Sequence, residues 1–303
     1  MIDMVPRAVE AAGQNAEGYV PLAGGAIFNT AISLGRLEVP VALVSGVSND
    51  LFGAQLVDEL AASRVRTDLL IRSNQPTTLA FVKLTDGAAQ YTFYDENSAG
   101  RMIAPDQFPQ TDAGFDVVYF GGISLCAEPA ASAYESFALA ASRNALMMID
   151  PNIRESFIED ETLYRARLDR MMGAADVVKI SDEDLHWIVP GDADLPAKVA
   201  QIQSLGVRVV ILTKGSDGAQ AFVGGTCVAQ VKPPVVEVVD TVGAGDTFNA
   251  GFLARLHQLG VLSKDCLDDW SDAELTQALD YAARVAAITV QRAGANPPHL
   301  GEL

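Results

Sequence analysis

Apolar runs of strand length alternate along this chain with longer stretches whose apolar residues recur at helical spacing. The runs Val41–Val44, Thr78–Leu84, Gln90–Tyr94, Val117–Phe120, Ala145–Ile149, Val177–Ile180, Val209–Thr213 and Ala219–Val223 predict strands. Between many of them, Ile27–Leu37, Phe52–Ser63, Ala130–Arg143, Leu163–Ala174, Asp182–Ile188 and Asp194–Leu205 predict helices, and an Ala-rich helix is expected over Leu275–Val290. Near-continuous apolar strands separated by helices imply an α/β fold, its mainly parallel sheet covered on both faces.

Two regions break the rhythm. Residues 5–23 carry no clear helix, and residues 71–97 read as consecutive strands with turns at Asn74-Gln75-Pro76 and Asp86-Gly87. Two β-rich pieces without intervening helices suggest a small added sheet. It can act as a lid over a site at the carboxyl ends of the parallel strands, or it can be an ordinary edge hairpin. No internal repeat or linker divides the chain, so residues 1–303 read as one domain with lid segments at about 5–23 and 71–97.

Composition narrows the function. With 39 acidic against 21 basic residues the net charge is −18, a surface that repels nucleic-acid backbones and anionic membranes. Local donors can still bind a phosphate within an acidic protein. Cys126, Cys227 and Cys266 are too few and too far apart for a disulfide framework or a zinc signature, and read as free thiols. No segment has the length and apolarity of a membrane span, and Met1–Glu10 lacks a signal-peptide layout, so a cytoplasmic location is expected.

The chemistry gathers in residues 233–256, PPVVEVVDTVGAGDTFNAGFLARL. An apolar run, Val235–Val239, predicts a strand; Asp240-Thr241-Val242-Gly243-Ala244-Gly245-Asp246 follows, and a helical pattern starts at Thr247. Glycines let backbone N–H groups face a ligand, and several such groups at a helix N-terminus form an anion site. That site suits a phosphoryl group in transfer. An aspartate there is either a helix cap or a base beside the phosphate. No GxGxxG follows the first strand, which disfavours a dinucleotide-dependent dehydrogenase.

This run resembles the C-terminal signature of the ribokinase-like (phosphofructokinase-B type) carbohydrate kinases. Residues 19–53, YVPLAGGAIFNTAISLGRLEVPVALVSGVSNDLFG, resemble that family's N-terminal signature, and the resemblance extends from Asp3 to Pro298. It implies a three-layer doubly wound fold with a β lid, and transfer of the ATP γ-phosphoryl group to a sugar hydroxyl. It makes Asp246 the base and Gly243, Ala244 and Gly245 its anion hole. It places Asp240 and Thr241 near a monovalent cation such as K+, although Asp240 equally suits turn capping. On the sugar side it places Asp3, Gly24, Gly25, Asn29, Arg154 and, on one face of a lid strand, Tyr91 and Phe93; the aromatic pair also suits core packing. On the ATP side it places Asn152, from the segment IDPNIRESF, with Lys179, Thr213, Gly215, Gly218, Ala283, Ala287 and Asn296, the two alanines suiting plain helix packing equally. A homodimer is implied as well.

Three departures from the family pattern stand out. A hydrophobic strand of about 5–8 residues usually precedes the early aspartate, here Asp3, yet the sequence starts at Met1. The NxxE motif linked to Mg2+ through water is Ser181-Asp182-Glu183-Asp184, leaving Asp184 as the carboxylate. The lid segment Tyr94-Asp95-Glu96-Asn97 is acidic, which disfavours an anionic substrate and favours a neutral sugar. The phrases IDMVP, DPNIR and RAGANPP look most like fructokinases, which implies fructose as substrate. 2-Keto-3-deoxygluconate, ribose or a nucleoside are alternatives, as is a sugar- or nucleotide-sensing relative without catalysis.

Overall fold

The computed structural model describes residues 1–11, 14–85, 88–111 and 114–303; the side chains of residues 8–11, 14–17, 83–85 and 88–91 lie outside that description. The chain opens with strands β1 (Ile2–Ala11) and β2 (Gln14–Ala23) and helix α1 (Ala26–Arg36). Next come β3 (Gly46–Ser48), α2 (Leu51–Ala62), β4 (Ile71–Ser73), β5 (Leu79–Thr85) and β6 (Ala88–Tyr94). Strand and helix then alternate through β7 (Val117–Gly121), α3 (Ala130–Ala141), β8 (Leu146–Asp150), α4 (Glu161–Ala174), β9 (Val177–Ser181), α5 (Asp182–Ile188), α6 (Leu195–Gln203) and β10 (Val209–Thr213). The hairpin β11 (Ala219–Val223) and β12 (Thr226–Val231) precedes the long helices α7 (Ala244–Gln258) and α8 (Asp272–Thr289).

The central sheet has the order β12-β11-β10-β9-β8-β7, with β7 to β10 parallel and the last two strands antiparallel. Alternation along each strand divides its side chains between two cores. Val118, Phe120, Met147, Ile149, Val178, Ile180, Val210 and Leu212 pack with α3 to α6. Leu146, Met148, Val177, Val209 and Ile211 pack with α1, α7 and α8. The result is the expected three-layer α/β sandwich. The same parity sends Tyr119, Asp150 and Lys179 toward α7.

The two β-rich pieces meet in a four-stranded sheet, β2-β1-β5-β6, in which β1 and β5 run parallel. A third core, including Ile2, Phe28, Ile32, Val47, Leu56 and Leu60, seats this sheet on α1 and α2. Phe93 of β6 packs against Phe157, just beyond the carboxyl end of β8, with centroids 4.0 Å apart and the rings tilted by 56°. The small sheet thus touches the central sheet at the end where its parallel strands finish. The turn expected at Asp86-Gly87 lies outside the described residues.

Two expected strands are absent. Val41–Val44 makes only an isolated bridge, Ala42 to Arg66. It borders a cleft of about 380 Å³ whose other wall is Val117–Phe120 of β7, so it has no strand on that side to complete a ladder. Val235–Val239 is an open segment with Val235, Val238 and Val239 exposed; apart from Val239 N–H on Val290 O, it makes no strand pairing among the described residues. Pro233-Pro234, lacking N–H donors, leads into it.

Asp50 fixes the junction of α2 with the small sheet. Its carboxylate caps Gly53 N–H at 2.7 Å and accepts Thr77 N–H at 2.9 Å and Thr77 Oγ1–H at 2.7 Å. Partial burial pushes its pKa up, but these donors outweigh that and hold it below the usual value. Asp50→Ala is expected to cost about 0.5–2 kcal/mol, read as a lower urea midpoint with an unchanged slope. Because the folded-state pKa is depressed, this contribution is present above the unfolded-state pKa and is lost as pH falls through the folded one.

Candidate active site

Helix α7 starts at Gly243, in the left-handed region with φ 78°. A Cβ there would lie 2.6 Å from Ala295 Cβ, so both conformation and space require glycine. The N–H groups of Gly245 and Asp246, in the first turn, have no intrahelical acceptor and form the positive end of the helix dipole. Asp246 does not cap its helix. It is 8% exposed, and its Oδ2 accepts a 2.9 Å hydrogen bond from Asn29 Nδ2. Thr30, the next residue of α1, donates through Oγ1 to Asp246 O at 3.1 Å.

Burial raises the Asp246 pKa to about 6. The Asn29 bond opposes that, Asp150 adds to it, and Lys179 and Arg154 oppose it. A carboxyl group with that proton affinity is ionised near neutrality and basic enough to accept a proton. It stands beside N–H donors suited to an anion, an arrangement matching hydroxyl activation next to a phosphoryl group.

The sugar-side candidates gather at the start of α1. A cavity of about 130 Å³ is lined by residues including Gly24, Gly25, Thr78, Asp95, Arg101 and Gly122. Asn29 and Asp246 lie outside that lining, although Asn29 N–H donates to the lining Gly25 O at 2.8 Å. A Cβ on Gly24 would sit 2.2 Å from Asp3 Oδ2, so this glycine makes room for the carboxylate. Asp3 Oδ1 is buried without a partner, and burial raises its pKa. An unpaired buried acceptor fits a ligand hydroxyl. Phe93 is instead half-buried against Phe157, the packing role left open from sequence, and the side chain of Tyr91 lies outside the described residues. Arg154 is exposed and donates to Ile153 O at 2.8 Å.

The phosphate side is uneven. Lys179 is buried and pairs with Asp150 at 2.9 Å. Asn152 holds a left-handed backbone, φ 42°, in the turn after β8. Thr213 ends β10; Gly215 is open to space, while Gly218 packs against the backbone of Val231 at the base of a hairpin. Ala283 belongs to the core beneath α8, and Ala287 is buried on the same helix. Asn296 is exposed and accepts from Arg36 Nη1 at 2.7 Å. The two alanines thus have packing roles and Asn296 a pairing through its Oδ1.

Two candidate cation positions differ in fit. Ser181 caps α5, and Asp184 accepts Ile153 N–H at 3.3 Å. Burial, then Asp150, raises the Asp184 pKa to about 6. A carboxylate held beside another carboxylate fits a divalent cation held through water. Asp240 is different. Its two oxygens accept Val242 N–H at 3.0 Å and Gly294 N–H at 2.8 Å, and Thr241 O accepts Ala244 N–H. Asp240 therefore builds the turn, with one hydrogen bond accepted by each oxygen.

Sequence reading missed Asp150, Asn249 and Tyr119. Asn249 Nδ2 donates to Asp150 Oδ2 at 2.7 Å and to Tyr119 Oη at 2.8 Å. The signal was present, since Asn249 lies one helical turn beyond Asp246 and shares its face.

The profile of the pfkB family carbohydrate kinases matches residues 1–300. The fructokinase of Rhizobium leguminosarum bv. trifolii is 43% identical over 265 residues, covering 87% of this chain and 79% of that protein. Among solved structures, the fructokinase of Xylella fastidiosa with bound ATP superposes with a TM-score of 0.85 at 26% identity, covering 97% of this chain and 91% of that one. The fructokinase of Vibrio cholerae O395, bound to fructose, ADP and calcium ion, has a TM-score of 0.81 at 24% identity, covering 97% and 91%, and supports the fold alone.

Asn29 supplies the side-chain hydrogen bond seen on the Asp246 carboxylate and lowers its pKa. Asn29→Leu is expected to raise that pKa above about 6, checked by carbon-13 NMR titration of the Asp246 carboxyl. An unchanged titration midpoint would show that the bond does not hold the ionised form.

Proposed function

Since the chain belongs to the pfkB family of carbohydrate kinases, we propose that it is an ATP-dependent fructokinase, converting fructose to fructose 6-phosphate with Asp246 as base. The observation that carries this reading is the buried Asp246 carboxyl at the head of α7, held by Asn29 and poised at about 6. The fructokinase relative at 43% identity supports the choice of sugar, and the ATP-bound Xylella enzyme supports the choice of phosphoryl donor.

Fructose binds against Gly24, Gly25 and Asn29, with Asp3 accepting from a sugar hydroxyl. The small sheet serves as a lid and excludes water, which limits ATP hydrolysis. The triphosphate runs along the carboxyl ends of β8 to β10, past Asn152, Lys179, Thr213 and Gly215. Asp246 accepts the proton of the attacking hydroxyl, whose oxygen forms the new bond to the γ-phosphorus while the bond to ADP breaks. The N–H groups of Gly245 and Asp246 stabilise charge on the equatorial oxygens. Asp184 is the residue that would hold Mg2+ through water, and the ion would supply charge screening for the phosphates.

A coupled ADP-release assay tests the reading over fructose, 2-keto-3-deoxygluconate, ribose and adenosine. Fructose is expected to give the highest kcat/KM; fructose binding with no ADP formed would reject catalysis. Asp246→Asn is expected to keep the fold and ATP binding while turnover falls by roughly 10²-fold or more. In the unsubstituted protein kcat/KM should fall on acidification through about 6, because the base is lost when Asp246 is protonated. Unchanged turnover in the variant would remove Asp246 from the role.

A further inference from the structure

We propose that Asp150 and Asn249 are positioning residues for this phosphoryl transfer, fastening the Lys179 ammonium beside the glycine turn and next to Asp246. The inference rests on the kinase reading above and gives a role to two residues that lie within the quoted motifs but were assigned none there, and that stand outside the cavity lining.

Asp150 ends β8 and Lys179 lies in β9, and strand alternation turns both toward α7. An ammonium on the buried face of a sheet is costly unless paired. Asp150 Oδ2 supplies the pair at 2.9 Å and accepts Asn249 Nδ2 at 2.7 Å, so one oxygen joins two sheet strands to α7. Asn249 is anchored in turn on Tyr119 Oη. The held ammonium lies where it can act: a Cβ on Gly245 would be 3.4 Å from Lys179 Nζ.

Two further atoms argue that this cluster serves more than packing. Asp150 Oδ1 and Asn249 Oδ1 are both buried without a hydrogen-bond partner. Each such atom is destabilising, and an apolar set of the same volume would avoid the cost. The arrangement makes sense where the cation itself is needed, at the place through which a transferring phosphoryl group passes.

The charges around Asp246 give the test its direction. Facing it are Asp150 from β8, Lys179 from β9, Arg154 from the turn after β8, Asn29 from α1 and the Tyr119 phenol from β7. Asp150 raises its proton affinity, whereas Lys179 and Arg154 lower it. Asp150→Asn should therefore move the acid limb of kcat/KM to lower pH, and Lys179→Met should move it to higher pH. Each shift is expected to be roughly half a unit or more. Turnover should fall about tenfold or more in both, with the KM for fructose changed far less.

A residue that only packs would not shift the limb in opposite directions. Limbs coincident with that of the unsubstituted enzyme in both variants, with Asp246→Asn still inactive, would overturn this inference and leave the base assignment standing. Full turnover in Asp246→Asn would overturn both. Should Asp150→Asn fail to fold, as read by thermal unfolding, the Lys179→Met limb decides: an upward shift supports the inference and no shift overturns it.

Discussion

A carboxyl group buried at the head of a helix needs a donor, and much of this architecture follows from where that donor comes from. Asn29 reaches Asp246 across 217 residues of sequence. Thr30 adds a second bond, to the Asp246 carbonyl. These bonds lock α1 to α7, and α1 begins at the glycines that border the sugar-sized cavity. Cavity and basic group are thus fixed to each other by the same contact that keeps the carboxyl group tolerable inside the protein. Gly243 completes the constraint, since its left-handed backbone and its contact with Ala295 let α7 start close to Asn29.

The layered fold was legible because it rests on local alternation. Met147 and Ile149 face one core while Leu146 and Met148 face the other, and that division is readable from an unbroken apolar run between two amphipathic helices. The errors came where strand formation depends on a distant neighbour. Val41–Val44 and Val235–Val239 have strand composition but no complete ladder to join. β12 was overlooked because Thr226–Val231 is an edge strand, with polar residues on its outward face. β3 and β4, three residues each, are too short for periodicity to register.

The site was legible to the extent that it depends on backbone. Gly243, Gly245 and Asp246 announce a helix start that binds anions, and Gly24-Gly25 mark a close approach, so short motifs carried them. Asp150 and Asn249 escaped because their meaning lies in a contact between the sheet and α7, 99 residues apart in sequence. Ala283 and Asn296 match a pattern by position, and the side chain of the first packs in the core while that of the second accepts from Arg36. Asp240 carries a local role as well, since each of its oxygens accepts one hydrogen bond in the turn it builds.

Charge resolves the remaining tension, that a chain of net charge −18 should handle two polyanions, ATP and ADP. Surface charges beyond about 8 Å are screened at physiological salt, so the acidic exterior weighs little inside the site. What counts there is the buried Lys179 ammonium and the free N–H groups of α7, acting at short range with little water between. The sugar pocket carries the opposite balance. Its lining includes Asp95, which is tied to Thr78 and Ser98 at 2.6 and 2.8 Å, and Asp3 stands close behind Gly24. Arg101, the one cationic side chain on that lining among the described residues, is engaged by Glu159 and the Glu128 carbonyl. A sugar acid would bring its carboxylate to carboxylates with the cation already committed, whereas a neutral sugar brings hydroxyls that can donate to them. The two ends of the site thus sort their ligands by opposite electrostatics: a cation and N–H dipoles for the phosphoryl donor, acceptors for a neutral polyol.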